Sequence, residues 1–317
     1  MKLQRAFLVS PSPHLWRGIS ISRIMYLVVL ALLLPTGAAI YFFGLRALAI
    51  LAVSVAVSLL TEYLCKKMRR RAFVMDGSAV VTGMLLGLTM PPTVPLWMVA
   101  VGAVFAIAIV KEAFGGLGHN IFNPALAARA FMAVSFPLPM TTWVAPRGLG
   151  LDGLTSATPL SGDSVWQQFD PAAHQAMFLG NTSGSLGETS ALALLIGGCL
   201  LLGLRMIDWR IPVFYIGVVA VFTLALGQDP IFHILAGGLM IGAFFMATDY
   251  VTSPLTNRGK IIFGISLGVL TVLIRQFGGM PEGVLYSILI MNAFTPLIDR
   301  YTGEKPYGLV KRAKDAG

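Results

Sequence analysis

Charge is scarce in this chain. Asp, Glu, Lys and Arg make up 12% of its 317 residues and 56% are hydrophobic, whereas a soluble domain carries about 25% charged residues. An ordinary soluble fold is excluded. Cysteine is nearly absent: Cys65 and Cys199 are the only two. They are far apart and form no Cys-x-x-Cys, which excludes a disulfide framework, a zinc site and a four-thiolate iron–sulfur site within this chain. Residues 1–23 lack a short apolar core followed by a small-residue cleavage site, so the first apolar segment is expected to stay in the chain. A dinucleotide fingerprint is missing too, because Gly115-Gly116-Leu117-Gly118 has the wrong spacing and no strand before it. The histidines His14, His119, His174 and His233 fall in loops or at segment ends, which offers no haem ligand pair inside a bilayer and leaves most of them solvated.

Long apolar runs are what the sequence does have. At about 20 residues per span, the pattern predicts an all-α, polytopic membrane protein with ten segments: 24–43, 45–64, 74–90, 96–110, 121–136, 190–204, 211–227, 231–248, 260–274 and 284–298. A single membrane domain over 1–317 is expected. It comprises an N-terminal segment (1–23), a first five-helix repeat (24–136), an outer loop (137–189), a second five-helix repeat (190–298) and a tail (299–317). The net charge of +9 comes from 23 basic against 14 acidic residues. The basic residues lie in short runs between spans, which marks orientation and not nucleic-acid binding. With residue 1 inside, 19 Lys and Arg fall on the cytoplasmic face, and Arg46, Arg147 and Arg275 on the other. Both termini are therefore expected in the cytoplasm and residues 137–189 on the periplasmic face of a bacterial inner membrane.

Residues 114–131, FGGLGHNIFNPALAARAF, align without a gap on 277–294, FGGMPEGVLYSILIMNAF, and GMLLG at 83–87 matches GLMIG at 238–242. Five spans per half is an odd number, so the repeat is inverted. The segments 121–136 and 284–298 read as short, about 22 Å of helix against a 30 Å core, and short segments at corresponding positions mark a site at the midplane. Arg129 and Asn292 occupy the same aligned position there. Arg129 either serves that site, or snorkels, or is neutralised by Glu112 or Asp249. Asp249, closing the eighth span beside Thr248, lines an ion path or is structural.

The outer loop contains Asp152-Gly153-Leu154-Thr155-Ser156-Ala157-Thr158-Pro159. By local chemistry alone Thr158-Pro159 is a helix start, the Thr capping and the Pro at the first helical position. The string also resembles the flavinylation motif of a family of membrane subunits, RnfD of the Rnf complex and its counterpart in the sodium-pumping NADH:quinone reductase. The resemblance runs through Ser10-Pro11-Ser12-Pro13-His14, Ser22-Arg23-Ile24-Met25, GGLGHNIFNPA at 115–125 and Ala247-Thr248-Asp249-Tyr250-Val251-Thr252-Ser253-Pro254, and it is closer to the Rnf branch. It implies FMN joined to Thr158 by a phosphoester, with Asp152, Thr155 and Ala157 read by a separate flavin transferase. Ser156 stands where the motif more often has Gly. A second, non-covalent flavin such as riboflavin is implied by the quinone-reductase branch.

The expected function is that of a membrane subunit of a redox-driven ion translocase, with no complete active site of its own. The resemblance implies that it relays electrons among flavin and iron–sulfur subunits, between ferredoxin and NAD, while the complex moves Na⁺ or H⁺. The alternative is a secondary transporter or channel of inverted-repeat architecture without a redox cofactor. Sidedness is open to direct measurement. In a cysteine-free background, a cysteine at Gly162 is expected to react with an impermeant thiol reagent in intact cells and one at Thr256 to be protected; the reverse pattern inverts the topology.

Overall fold

The computed structural model describes residues 20–146, 160, 170–278 and 283–303. Asp152, Thr155, Ala157 and Thr158, with Gly162 and His14, lie outside the described residues. Among the described residues there is no β-strand; the chain is a polytopic helical membrane protein.

Ser20 accepts the Arg23 N–H at 3.2 Å and so caps α1, Ile21–Phe43, satisfying one of the N–H groups that a helix start leaves open. Gly44, with φ 65°, turns the chain directly into α2, Leu45–Met68. The first half continues with α3 (Ser78–Leu88), α4 (Leu96–Val104, running on as a π-helix over Phe105–Glu112) and α5 (Pro124–Ser135). Two short helices follow, α6 (Pro137–Thr141) and α7 (Pro171–Leu179). The second half comprises α8 (Ala191–Gly203), α9 (Arg210–Ala225), α10 (Pro230–Leu235), α11 (Leu239–Ile241, running on as a π-helix over Gly242–Met246), α12 (Asn257–Phe277) and α13 (Gly283–Thr302). Helices α1, α2 and α12 are long and apolar enough to cross a membrane.

A cap followed by proline starts three of these helices. Asn123 accepts from the N–H groups of Ala125 and Leu126, Asp170 from that of Ala172, and Asp229 from those of Ile231 and Phe232, with Pro124, Pro171 and Pro230 next in each case. Proline fits there because its missing N–H would have had no helical partner.

Two expectations need correction. The apolar run 231–248 is not one span, because Gly237 takes φ 66° and the chain breaks between α10 and α11. Hydropathy sees only a continuous apolar stretch and passes over the glycine pair Gly237-Gly238. The run 284–298 is not short: α13 has 20 residues and continues past Pro296. The helices broken or shortened at corresponding positions are thus the third of each half, α3 and α10–α11. Each inner helix starts after a left-handed glycine, Gly77 with φ 86° and Gly237 with φ 66°.

Close helix contacts rest on small residues, as expected where lipid removes most of the hydrophobic drive between helices. A Cβ on Gly83 of α3 would stand 2.8 Å from Val55 Cα, and one on Gly268 of α12 would stand 2.7 Å from Val218 Cβ. Ser54 of α2 donates to the Gly83 carbonyl at 2.7 Å. Lys66, Lys67, Arg69, Arg70 and Arg71 follow from the end of α2, and Arg205, Arg210, Arg258, Lys260 and Arg300 gather at the same end of the bundle, the basic end; Arg46 and Arg275 lie toward the opposite, loop end. At the basic end Lys260 reaches Asp208 at 2.9 Å and Arg210 reaches it at 3.0 Å, joining the starts of α9 and α12. Burial alone would raise the Asp208 carboxyl, but the hydrogen bonds from Lys260 and the Arg210 N–H hold it below the usual carboxylate range. Gly83→Val is expected to push α3 off α2 and to cost about 1–3 kcal/mol, read as a lower Tm of the detergent-solubilised protein; an unchanged Tm would show that this contact carries no stability.

Candidate functional site

Two cavities open between the halves, one toward each end of the bundle. The basic-end cavity, about 730 Å³, is lined by Lys111, Asn120, Asn123, Thr248 and Asp249 among apolar groups such as Met25, Leu85, Phe244 and Phe245. Lys111 is only 2% exposed. Its ammonium donates to Glu62 at 2.9 Å and to the Ser78 hydroxyl at 2.6 Å, and Glu62 also pairs with Lys66 at 3.1 Å. Asp249 accepts from the Thr252 hydroxyl at 3.2 Å. Asn123, besides capping α5, donates from its amide to the Met246 carbonyl at 3.3 Å.

The loop-end cavity, about 540 Å³, is walled by Leu126, Trp143, Leu160, Val284 and Leu285 and holds Arg129, Glu188 and Arg275. Arg129, 2% exposed on α5, faces Glu188 with 3.8 Å between Nη2 and Oε1. The segment carrying Glu188 is fixed by backbone pairing to the end of α3, Gly187 N–H to the Leu88 carbonyl at 2.6 Å and Leu186 N–H to that of Met90 at 3.1 Å. Arg275 donates to the carbonyls of His233 at 2.6 Å and Ala236 at 3.0 Å. Leu160 packs beside Met177, Phe232, Leu235 and Ala236.

The candidate residues divide between these spaces. Arg129 lines the loop-end cavity, Asp249 the basic-end one. Asn292, with its amide turned to satisfy both neighbours, accepts from the Asn123 N–H at 3.1 Å and donates to the Ile288 carbonyl at 3.2 Å, at the start of α5. Arg129 and Asn292 are aligned in the repeat but are not brought together; inversion sends one toward each end. The suggested neutralising partners of Arg129 are engaged elsewhere: Glu112 faces Arg69 at 3.6 Å and Asp249 bonds Thr252. Glu188, an acid in a loop that no motif singles out, is a partner. By sequence Arg275 falls in an outer connection and Lys111 in an inner one, whereas both turn into the bundle. A signal was there, since each stands shortly before a Phe-Gly-Gly and would otherwise be expected in solvent. His174 is not simply solvated, as its Nε2 bonds the buried Asp229 carboxylate.

Comparison with known proteins fits this architecture. The sequence profile of the NQR2, RnfD, RnfE family matches residues 8–308. The chain belongs to this family. Among relatives, the RnfD-type subunit of the Na⁺-translocating ferredoxin:NAD⁺ oxidoreductase complex of Acetobacterium woodii is 49% identical, with 97% of each chain covered. Its counterpart in the proton-translocating ferredoxin:NAD⁺ oxidoreductase complex of Clostridium ljungdahlii is 46% identical over 95% of this chain and 96% of its own. The corresponding subunit of the ion-translocating oxidoreductase complex of Stutzerimonas stutzeri is 41% identical over 93% and 94%.

The buried pair can be tested apart from function. Glu62→Leu strands the Lys111 charge and is expected to cost on the order of 3–5 kcal/mol, seen as a large fall in Tm, while Glu62→Leu with Lys111→Met is expected to recover most of it. A double variant no more stable than the single one would show that the pair is not what holds α2 to α4.

Proposed function

We propose that this family member is the membrane subunit of an ion-translocating ferredoxin:NAD oxidoreductase complex and relays electrons through FMN attached to Thr158. The observation that carries the reading is the Asp152–Thr158 motif itself, supported by Leu160, two residues further along the sequence, which stands in the wall of a space that also holds Arg129, Glu188 and Arg275. A cavity with an aromatic and aliphatic wall and a few charged groups suits a flat, hydrogen-bonding ring. When bound, FMN supplies one- and two-electron transfer. The chain's own part is to hold the ring, keep water away with Leu126, Trp143, Val284 and Leu285, and set its electrostatic surroundings. Asp152, Thr155 and Ala157 are the residues read by a flavin transferase during maturation.

The basic end lies in the cytoplasm of a bacterial cell and the loop end faces the periplasm, in line with the distribution of Lys and Arg. Electrons pass between flavin and iron–sulfur subunits of the complex. The basic-end cavity, with Asn120, Asn123 and Asp249 on its wall, is the place for a second, non-covalent flavin. Relatives named for H⁺ and for Na⁺ stand at 46% and 49% identity, so overall likeness does not choose the coupling ion.

Thr158→Ala, expressed together with a flavin transferase, is expected to abolish ultraviolet fluorescence of the denatured chain in a gel while leaving membrane insertion intact, because it removes one hydroxyl and at most about 1–2 kcal/mol of capping. Thr155→Ala is the control, expected to slow attachment without being its point. A tryptic peptide spanning Thr158 with unmodified mass, from protein matured with the transferase, would sink the reading and favour a transporter without a redox cofactor.

A further inference from the structure

The last turns of α2 present an exposed, ordered stripe. Leu60, Tyr63, Leu64 and Lys67 stand at i, i+3, i+4 and i+7, which is one face of a helix, and all four are exposed. The stripe turns from apolar to cationic toward the basic end, with an aromatic ring near the changeover. A bilayer leaflet changes in the same order from hydrocarbon to headgroup. Beyond α2 the chain reverses at Arg70, whose N–H bonds the Lys67 carbonyl at 3.1 Å, while the Arg71 N–H bonds that of Lys66 at 3.0 Å. Arg70 takes φ 55°, a left-handed conformation that helix ends usually give to glycine. A guanidinium is therefore kept at the turn against the local backbone preference.

The leg that follows is apolar and has no regular structure. Phe73, Val74 and Met75 are 38%, 62% and 52% exposed. The Phe73 ring lies edge-on to that of Tyr63, with 5.6 Å between centroids, and Tyr63 precedes the end of α2 by five residues, about 7.5 Å of helix. The leg has therefore come back toward the bilayer. It stops at the boundary, because irregular backbone does not face lipid within the hydrocarbon; there Tyr26 of α1 donates to the Met75 carbonyl at 3.4 Å. Two of the basic residues beside it are drawn to acids, Lys66 to Glu62 at 3.1 Å and Arg69 to Glu112 at 3.6 Å. Among the described residues no carboxylate pairs with Lys67, Arg70 or Arg71. Lys67 lies over the Tyr63 ring at 5.9 Å and Arg71 reaches the neutral Gly115 carbonyl at 3.5 Å. Their charge is left for an anion outside the bundle.

We propose that the turn after α2 is a binding site for the phosphate of anionic phospholipids in the leaflet at the basic end, held by Lys67, Arg70 and Arg71, with Phe73, Val74 and Met75 against the first acyl carbons. Orientation of the chain asks only for positive charge on that face. It does not ask for an exposed apolar leg returning to the level of Tyr63. A protein partner complementary to three cations needs neither that leg nor the graded stripe, whereas a leaflet supplies phosphate, boundary and hydrocarbon in the order in which the residues meet them. Near an anionic leaflet each basic residue contributes a factor of about five to association. The site lines neither cavity, so it is independent of any flavin.

The test uses the full-length chain in detergent, titrated with phosphatidylglycerol or with zwitterionic phosphatidylcholine, with bound lipid counted by native mass spectrometry. The parent is expected to prefer phosphatidylglycerol. Changing Lys67, Arg70 and Arg71 together to Gln is expected to weaken phosphatidylglycerol binding by at least about tenfold, while changing Arg205, Arg258 and Arg300 to Gln, three exposed arginines elsewhere at the same end, is expected to leave it close to the parent. A second measurement needs no loss of charge. Val74→Cys in a cysteine-free background, labelled with an environment-sensitive dye and placed in nanodiscs, is expected to shift to the blue as phosphatidylglycerol replaces phosphatidylcholine. Equal affinity of the parent for the two lipids, or equal losses in the two triple variants, overturns the proposal. So does a Val74 dye that reports water in every lipid mixture; if partner subunits then shield it, the surface is a protein interface instead.

Discussion

A helix that stops inside a membrane protein leaves backbone N–H and C=O groups that lipid cannot satisfy, and this constraint organises the rest of the molecule. The chain meets it twice. At the end of α3 the carbonyls of Leu88 and Met90 accept from Gly187 and Leu186, so a segment from beyond α7 folds back to complete the ladder. At the break after α10, Arg275 of α12 takes the carbonyls of His233 and Ala236. Lys111 of α4 stands at the start of α3, where it bonds the Ser78 side-chain hydroxyl. Arg275 is thus placed by the needs of interrupted backbone. The cavities form beside those interruptions.

The inverted repeat makes the two solutions comparable and also shows how far they have diverged. Lys111 stands three residues before Phe114 and Arg275 two before Phe277. The first half has a π-turn between them, the Ala113 N–H bonding the Ala108 carbonyl, and a π-turn accommodates one additional residue in a helix. The extra residue accounts for the offset. The chemistry differs more: Lys111 is neutralised by Glu62, while Arg275 is held by neutral carbonyls. Leu160, two residues after the Asp152–Thr158 motif in the sequence, stands in the wall of the cavity that holds Arg275.

Much of this was legible in the residues. Ten apolar runs, the Phe-Gly-Gly repeat and the starts Asn123-Pro124 and Asp229-Pro230 point to helices where helices are found, because periodic burial and helix capping are local effects. What stayed hidden depends on contacts distant in sequence. The break at Gly237 lies inside a run that hydropathy reads as continuous. The length of α13 depends on its far end, where Thr302 and Asp299 bond to Thr256 and the Leu255 N–H, and an apolar count cannot see that. Glu188 becomes a partner of Arg129 only because residues 186–187 fold back onto α3. Arg129, expected at a midplane site, and Leu160, from the outer loop, line one cavity.

The same three elements line both cavities, and this links the two ends of the bundle. From α3 and its end come Ser78, Thr82 and Leu85 on one side and Thr89 on the other; from the start and middle of α5, Asn123 and Pro124 on one side and Leu126 and Arg129 on the other; from α11 and its π-helix, Phe244 and Phe245 on one side and Ile241 and Met246 on the other. Asn123 ties α5 to the π-helix through the Met246 carbonyl, and Asn292 of α13 bonds the Asn123 backbone in turn. A π-helix is a geometry under strain that recurs where helices are put to use, and here it forms the partition. Phe244 and Phe245 line the basic-end space and Met246 the loop-end one, so packed side chains and the two amide hydrogen bonds of Asn123 and Asn292 join the walls of both cavities.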